Sequence, residues 1–129
     1  MTRAPLVLVV HPSFSARSVP ELTAAARANP DALTVASPGT GSAPHASWEL
    51  FRSMTGTRML HVPYRGGAPA ITALLSQQVQ VYFANIAEAM EHIKADKLRA
   101  LAVTGAARTP ALPDVPTIGD FVQGYESLG

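Results

Sequence analysis

Short apolar runs alternate along the chain with longer amphipathic stretches. The runs are rich in β-branched and aliphatic residues, and the predicted strands are Leu6–Val10, Leu33–Ala36, Met59–Val62, Val79–Phe83 and Leu101–Val103. The stretches between them have the length of helices, and their apolar residues recur at helical spacing. This alternation is typical of βαβ units. The sequence therefore predicts an α/β fold, a mostly parallel five-stranded sheet with helices on both faces.

Capping residues and prolines mark where the predicted helices begin. The first helix covers roughly 19–29, because Ser18 and Glu21 form a capping-box pattern in front of it and Asn29-Pro30 stops it. The other three are expected to follow Ser42, Gly66-Gly67 and Asn85.

The end of the chain changes character. Prolines at positions 110, 113 and 116 predict a stiff connector over 110–129, with one short helix capped by Thr117. At 129 residues the whole chain has the size of one domain with one core. We therefore expect 1–129 to form a single α/β domain that ends in this connector.

Composition removes several classes of function. The formal net charge is +1 and no basic stripe is visible, so no nucleic-acid partner is expected. The chain has no cysteine, and its four histidines lack metal-ligand spacing, so neither a metal site nor a cofactor is predicted. The apolar run Leu6–Val10 is too short for a membrane span or a signal-peptide core.

A glycine- and serine-rich loop at 37–42 is the first candidate for chemistry. It follows a predicted strand and leads into a helix, which is where ligands bind in open α/β sheets. Small residues allow backbone N–H groups to approach an anion, although the same composition also suits a plain tight turn. The loop lacks the third glycine of a dinucleotide fingerprint, and the chain contains no Gly-Lys-Ser/Thr and no Gly-x-Ser-x-Gly motif.

Two further loops follow later strands. Tyr64 and Arg65, next to Gly66 and Gly67, are suited to hold a second acidic group of a ligand. Alternatively, Tyr64 packs on the sheet edge and Arg65 is solvated. Asn85 can cap its helix, contact a ligand, or do both.

Two histidines lie near these loops. His45 is in the first turn of the helix that follows the glycine-rich loop, so it either faces the cleft or packs at the surface. His61 lies inside a predicted strand and is expected to be a hydrogen-bonded structural residue.

The residues alone leave three classes of function open. One is a binding domain for a small anion, and another is a small α/β enzyme that binds a phosphorylated or carboxylated substrate at the glycine-rich loop. The third is an interaction module. An enzyme would need a nucleophile or an acid–base pair, and the scattered acidic residues do not supply one.

Five ordered blocks of sequence resemble the Bug-type extracytoplasmic solute receptors of tripartite tricarboxylate transporters. These blocks are 33–45, 49–51, 61–70, 97–104 and 112–117. Receptors of this family are type II periplasmic binding proteins, in which two α/β lobes close on a small carboxylated solute. The resemblance implies that the chain is the second lobe, with Leu6–Val10 antiparallel among four parallel strands and with 110–129 serving as connector and hinge region.

The resemblance also implies a function and a set of site residues. It indicates a periplasmic receptor, not an enzyme, that captures a di- or tricarboxylate or a related organic acid for the membrane components of the transporter. Self-association of the isolated lobe, through its bared cleft or an unpaired hinge strand, is a further expectation. With His45 added from its position in the first helical turn, the expected ligand-binding residues are Ser37, Gly39, Thr40, Gly41, Ser42, His45, Tyr64, Arg65, Gly66, Gly67 and Asn85.

The expected site departs from the family pattern at one position. Relatives commonly carry Asn where Pro38 stands, so one side-chain donor is absent here and the ligand preference can differ.

Overall fold

A computed structural model describes residues 5–127 of the chain, and in it five strands alternate with four helices. In chain order the elements are β1 (Leu6–Val10), α1 (Val19–Ala28), β2 (Thr34–Ser37), α2 (Ala43–Thr55), β3 (Leu60–Pro63), α3 (Gly67–Leu75), β4 (Val81–Asn85), α4 (Ile86–Lys94), β5 (Arg99–Val103) and a 3₁₀ turn (Ile118–Asp120). The predicted α/β class and the five strands are confirmed.

The strands form one mixed sheet in the order β3-β2-β4-β1-β5. Strand β2 pairs in parallel with β3 and β4, whereas β1 lies between β4 and β5 and is antiparallel to both. Four strands therefore run in one direction and β1 runs against them, as the family resemblance implied. Both edges of β1 are paired, so the edge strands of the sheet are β3 and β5.

The apolar side chains of the sheet alternate between two cores. Leu8 and Val10 of β1 pack with residues of α1 and α2, including Trp48 and Phe51. Val7 and Val9 point to the other face, where they pack with residues of α3 and α4. All five residues of β1 are at most 1% exposed, which is the burial expected of a central strand covered by helices on both faces.

Several predicted element ends are displaced by one or two residues. Strand β4 begins at Val81 instead of Val79, and the Oε1 atom of Gln80 accepts hydrogen bonds from the N–H (2.8 Å) and the hydroxyl (2.6 Å) of Thr34. The amide of Gln80 also donates to the carbonyl of Thr34 (3.2 Å), so the side chain of Gln80 extends the backbone ladder at this point. Strand β5 is longer than predicted, because Arg99 and Ala100 pair with the end of β1.

The last described segment contributes to the core as well as connecting. The carbonyl of Pro116 accepts a hydrogen bond from the amide of Val103 (2.8 Å), and Thr117 caps the predicted short helix. Ile118 and Tyr125 are buried beside α2, and the Tyr125 hydroxyl donates to the carbonyl of Ser47 (2.8 Å). Residues 117–125 are thus packed into the domain rather than extended from it.

Within residues 5–127, no helix is long and apolar enough to cross a membrane. The same residues contain no group of three or more side chains that could hold a metal ion.

Candidate anion site at the carboxyl edge of the sheet

Three loops lie at one edge of the sheet because β2, β3 and β4 are parallel neighbours. The first two are in direct contact. The amide of Tyr64 donates to the carbonyl of Ser37 (2.8 Å), and the amide of Gly66 donates to the carbonyl of Pro38 (2.9 Å). Asn85, at the end of β4, lies on the other side of β2 at the same edge. The structure therefore brings together the segments that sequence reasoning selected.

The β2–α2 loop, residues 38–42, is held in shape by its own hydrogen bonds. Ser42 is the N-cap of α2, and its hydroxyl donates to the carbonyl of Gly39 (2.7 Å) while accepting from the amide of His45 (3.4 Å). The buried hydroxyl of Ser37 accepts from the amide of Gly39 (3.2 Å). Gly41 has φ 88°, a left-handed conformation that residues with a side chain rarely adopt.

Two amides where this loop meets α2 are not engaged. Among the described residues, the N–H groups of Thr40 and Ala43 make no hydrogen bond. Both residues are exposed, and the first turn of α2 contains no acidic residue. Unpaired N–H groups at the positive end of a helix bind anions without a cationic side chain. Ala43 was not among the predicted site residues, because a backbone donor leaves no trace in residue type.

Two imidazole rings stand behind the loop. His45 and His61 are stacked, with ring centroids 4.3 Å apart and planes inclined by 10°. Nδ1 of His45 accepts from the amide of Gly41 (3.0 Å), and Nε2 of His61 lies 2.7 Å from the hydroxyl oxygen of Ser37. His61 is hydrogen-bonded, as the sequence predicted. The ring of His45 is 17% exposed and lies under the loop.

The surroundings of His61 favour the neutral form of its ring. Burial lowers the pKa of His61, and the neighbouring charge on His45 lowers it further. Glu49 lies 3.5 Å from Nε2 of His45 and 2.6 Å from the guanidinium of Arg52. The hydrogen bond from Arg52 lowers the pKa of Glu49.

The β3–α3 loop, residues 64–66, differs in how its helix begins. Gly66 is the N-cap of α3 with no side-chain hydrogen bond, and the carboxylate of Glu88 lies so close to Gly67 that a Cβ there would collide with it. Oε1 of Glu88 accepts from the Tyr82 hydroxyl (2.8 Å). Burial raises the pKa of Tyr82, and the hydrogen bond to Glu88 adds to the shift. An internal carboxylate therefore occupies the space over the start of α3.

The polar side chains predicted in the second and third loops are placed differently from one another. Tyr64 is half-buried and packs against the core under α3 and α4, whereas Arg65 is exposed. Asn85 is exposed at the N-cap of α4, and its backbone N–H donates to Oε1 of Glu88 (3.4 Å). The contact of Glu88 with α3 depends on tertiary packing and has no local signal in the sequence.

A surface cavity elsewhere lacks these features. It has a volume of about 480 Å³ and lies at the opposite end of α2, where Met54 and Phe121 line it. Its one cation, the guanidinium of Arg27, donates to the carbonyl of Thr55 (2.6 Å). The carboxyl edge of the sheet remains the better candidate for an anion.

An α/β domain that presents glycine-rich loops and an open helix start at the carboxyl edge of its sheet is built as a binding domain for a small anion. Residues 1–128 match the family model described as tripartite tricarboxylate transporter family receptor. The chain belongs to this family of solute-binding receptors.

Relatives and solved structures agree with this assignment. The UPF0065 protein in the tcbD-tcbE intergenic region of Pseudomonas sp. (strain P51) is 38% identical, and the match covers 96% of this chain and 38% of that protein. Protein BugT of Bordetella pertussis is 36% identical, covering 94% of this chain and 36% of BugT. The chain thus spans less than half the length of these relatives.

Two of the similar structures contain carboxylates. R. palustris Rpa4515 with adipate is 37% identical, with a TM-score of 0.96 over 99% of this chain and 43% of that one. MatC (Rpa3494) from Rhodopseudomonas palustris with bound malate is 28% identical, with a TM-score of 0.91 over 98% of this chain and 44% of that one. The periplasmic binding protein BugD also matches, at 30% identity and a TM-score of 0.91. The fold of this chain is that of one lobe of such a receptor.

Proposed function

We propose that this chain is a ligand-binding lobe of a periplasmic receptor that captures a small dicarboxylate and delivers it to the membrane components of a tripartite tricarboxylate transporter. The proposal has no catalytic step. The ligand is held between this lobe and a second one, the lobes close by a hinge motion, and residues 110–129 belong to the hinge region.

The observation that carries the proposal is the open start of α2. The amides of Thr40 and Ala43 have no partner within the described residues, and no acidic side chain lies in the first helical turn. One carboxylate of the ligand accepts from these amides and from the exposed Thr40 hydroxyl. Because Ser37, Gly39, Gly41 and Ser42 are bound within or beneath the loop, their role is to hold its shape.

The remaining predicted residues receive the rest of the ligand. Exposed Arg65 offers a bidentate donor to a second carboxylate, and Tyr64 and Asn85 lie on either side of β2 at the same edge. Adipate and malate, which accompany two of the similar structures, both carry two carboxylates. Gly66 and Gly67 allow the close approach of this loop to the site.

The test is a titration of this chain followed by NMR of its backbone amides. Adipate and malate are expected to shift the Thr40 and Ala43 resonances at millimolar concentrations, because one lobe supplies only part of the cleft. A neutral diamide of the same length serves as the uncharged control, and inorganic phosphate tests the alternative of an enzyme for phosphorylated substrates. Shifts with phosphate alone, or carboxylate shifts that avoid this loop, would contradict the proposal.

A matched pair of glycine variants separates loop shape from general stability. Gly41→Val and Gly56→Val both place a β-branched residue at positive φ, 88° and 66°, but Gly56 lies at the far end of α2. The strain costs about 1–2 kcal/mol at either position, so both variants lose similar stability. Only Gly41→Val is expected to lose the carboxylate response, by roughly tenfold or more. An unchanged titration of Gly41→Val would remove the loop from the site.

A further inference from the structure

We infer that the stacked rings of His45 and His61 are positioning residues for the β2–α2 loop, and that each acts through one particular ring nitrogen. The inference rests on the proposed function and deepens it, since it assigns a task to two side chains under the anion site. His45 then supports the ligand site from beneath. His61 also contributes to the site, although it lies within β3.

The first contact that holds the loop is the hydrogen bond between the backbone of Gly41 and the ring of His45. Nδ1 of His45 accepts from the Gly41 amide (3.0 Å), so in this arrangement Nδ1 carries no proton. A neutral ring then has its proton on Nε2, which lies 3.5 Å from Oε1 of Glu49. The glutamate thereby favours the tautomer that can hold Gly41.

The second contact that holds the loop is the hydrogen bond between His61 and Ser37, at the other end of the loop. Nε2 of His61 is 2.7 Å from the hydroxyl oxygen of Ser37, which is also the acceptor for the Gly39 amide (3.2 Å). Ser37 is 1% exposed, so solvent cannot replace His61 in this bond. His61 thus fixes the hydroxyl that orients the first glycine of the loop.

Stacking joins the two supports into one unit. The ring planes are inclined by only 10°, at a centroid separation of 4.3 Å, so movement of one ring displaces the other. The loop is consequently held at Gly39 and at Gly41 on both sides of Thr40. Thr40 between them is exposed, and its unbonded amide is available to an anion.

The surrounding charges match this arrangement. The charged group beside both rings is Glu49 of α2, which partly offsets the lowering of the pKa of His61 by burial and pairs with Arg52 at 2.6 Å. Burial of His61 opposes its protonation, and two protonated rings at stacking distance would repel one another. The supporting form is the one in which Nδ1 of His45 is free to accept from the Gly41 amide.

The experiment exploits the different reach of Asn and Gln. An Asn side chain places a polar atom where histidine has Nδ1, whereas a Gln side chain places one where histidine has Nε2. His45→Asn and His61→Gln should therefore keep the malate response of Thr40 and Ala43 within about twofold of the parent chain. His45→Gln and His61→Asn should weaken it by roughly tenfold, the effect of losing one net hydrogen bond.

A second measurement does not depend on any variant folding well. The ¹⁵N resonances of the imidazoles report the tautomer, and His45 of the parent chain should be unprotonated at Nδ1 and protonated at Nε2 at neutral pH. The Gly41 amide resonance should report the same bond, moving in His45→Gln and staying in His45→Asn. These readouts would not follow from a merely structural role in packing.

The outcomes separate this inference from the proposed function. Equal behaviour of all four variants, whether unchanged or equally weakened, overturns the inference, as does a His45 protonated at Nδ1. If Gly41→Val still abolishes the carboxylate response, the proposed function stands without the histidine supports. If Gly41→Val binds normally, the proposed function itself fails.

Discussion

The β2–α2 and β3–α3 loops are built on the same plan and end differently. Each follows a parallel strand, contains a glycine at positive φ (Gly41 at 88°, Gly66 at 109°) and leads into a helix whose first turn has no acidic residue. At the start of α3 the carboxylate of Glu88 fills the space. At the start of α2 no internal carboxylate is present among the described residues, although the first amides of both helices, Ala43 in α2 and Gly67 in α3, make no hydrogen bond to a described group.

Under the proposed function, this difference marks the start of α2, and not that of α3, as the place for the ligand. The positive end of a helix attracts a carboxylate whether the carboxylate belongs to the protein or to a solute. In α3 the internal one is delivered by α4 and anchored by Tyr82. In α2 the protein uses Ser42 to cap the helix and the stacked histidines to hold the loop, and under the proposed function the solute supplies the carboxylate.

The largest expected effect comes from placing a carboxylate at the start of α2, as Glu88 already does at the start of α3. Ala43→Asp puts a carboxylate at the first position of α2, where it competes with the ligand by repulsion and by accepting the open amides. Carboxylate binding should weaken by on the order of 100-fold, since one unit charge at about 4 Å is worth several kcal/mol near a protein surface. The measurement is the amide titration with malate.

The control for this change is Ala24→Asp. It adds the same charge at an exposed position of α1, beside the surface cavity at the far end of α2. Its titration should match that of the parent chain. A similar loss in both variants would mean that net charge, and not the start of α2, governs binding.

A smaller effect is expected from removing the carboxylate of Glu88 at the start of α3. Glu88→Ala removes the acceptor of the buried Tyr82 hydroxyl and should lower the free energy of unfolding by about 1–3 kcal/mol, measured by urea denaturation. Glu88→Gln keeps an acceptor and should cost less. Glu91→Ala removes an equal charge from an exposed position of α4 and should be nearly neutral. Equal costs for Glu88→Ala and Glu91→Ala would show that the Tyr82 contact does not matter.

The smallest effect concerns pH. The pKa of His61 is lowered in the folded chain, so between its unfolded value of about 6.5 and its folded value the unfolded state binds more protons. Stability should therefore be complete above pH 6.5 and fall as the pH drops through this window. Urea midpoints measured from pH 7.5 to 5 should show the decline, and His61→Gln should flatten it.

Glu49 acts in a different range. Its pKa is lowered from 4.5, so its contribution is present above that value and is lost at lower pH. A decline that is the same in the parent chain and in His61→Gln would assign the pH dependence to other groups.

Much of this architecture could be predicted from local sequence. The cap at Ser18, the prolines in first turns and the glycines after β2 are local signals, and they place the helices and the three loops correctly. Hydrophobic runs located the strands to within two residues.

The remainder depends on tertiary contacts that no local pattern encodes. The antiparallel direction of β1 could be predicted only from the family resemblance, because an apolar run of residues does not indicate the direction of a strand. The bond from His61 to Ser37 joins residues 24 apart, and the contact of Glu88 with Gly67 depends on the packing of α4 against α3. The open amide of Ala43 is a property of backbone geometry and not of alanine.

The position of β1 has a consequence for how the chain reaches this fold. Leu6 pairs with Asn85, and its amide also bonds to Thr104, 98 residues away. Of the five strands described here, β1 is synthesised first and is the last to find both neighbours, and contacts this distant in sequence slow folding. Until β5 is synthesised, the run Leu-Val-Leu-Val-Val remains an uncharged, β-prone segment without its partners. During biosynthesis, this strand, which lies between β4 and β5 in the finished sheet, is thus the one most exposed to aggregation, and a chaperone that covers it would raise the yield of folded protein.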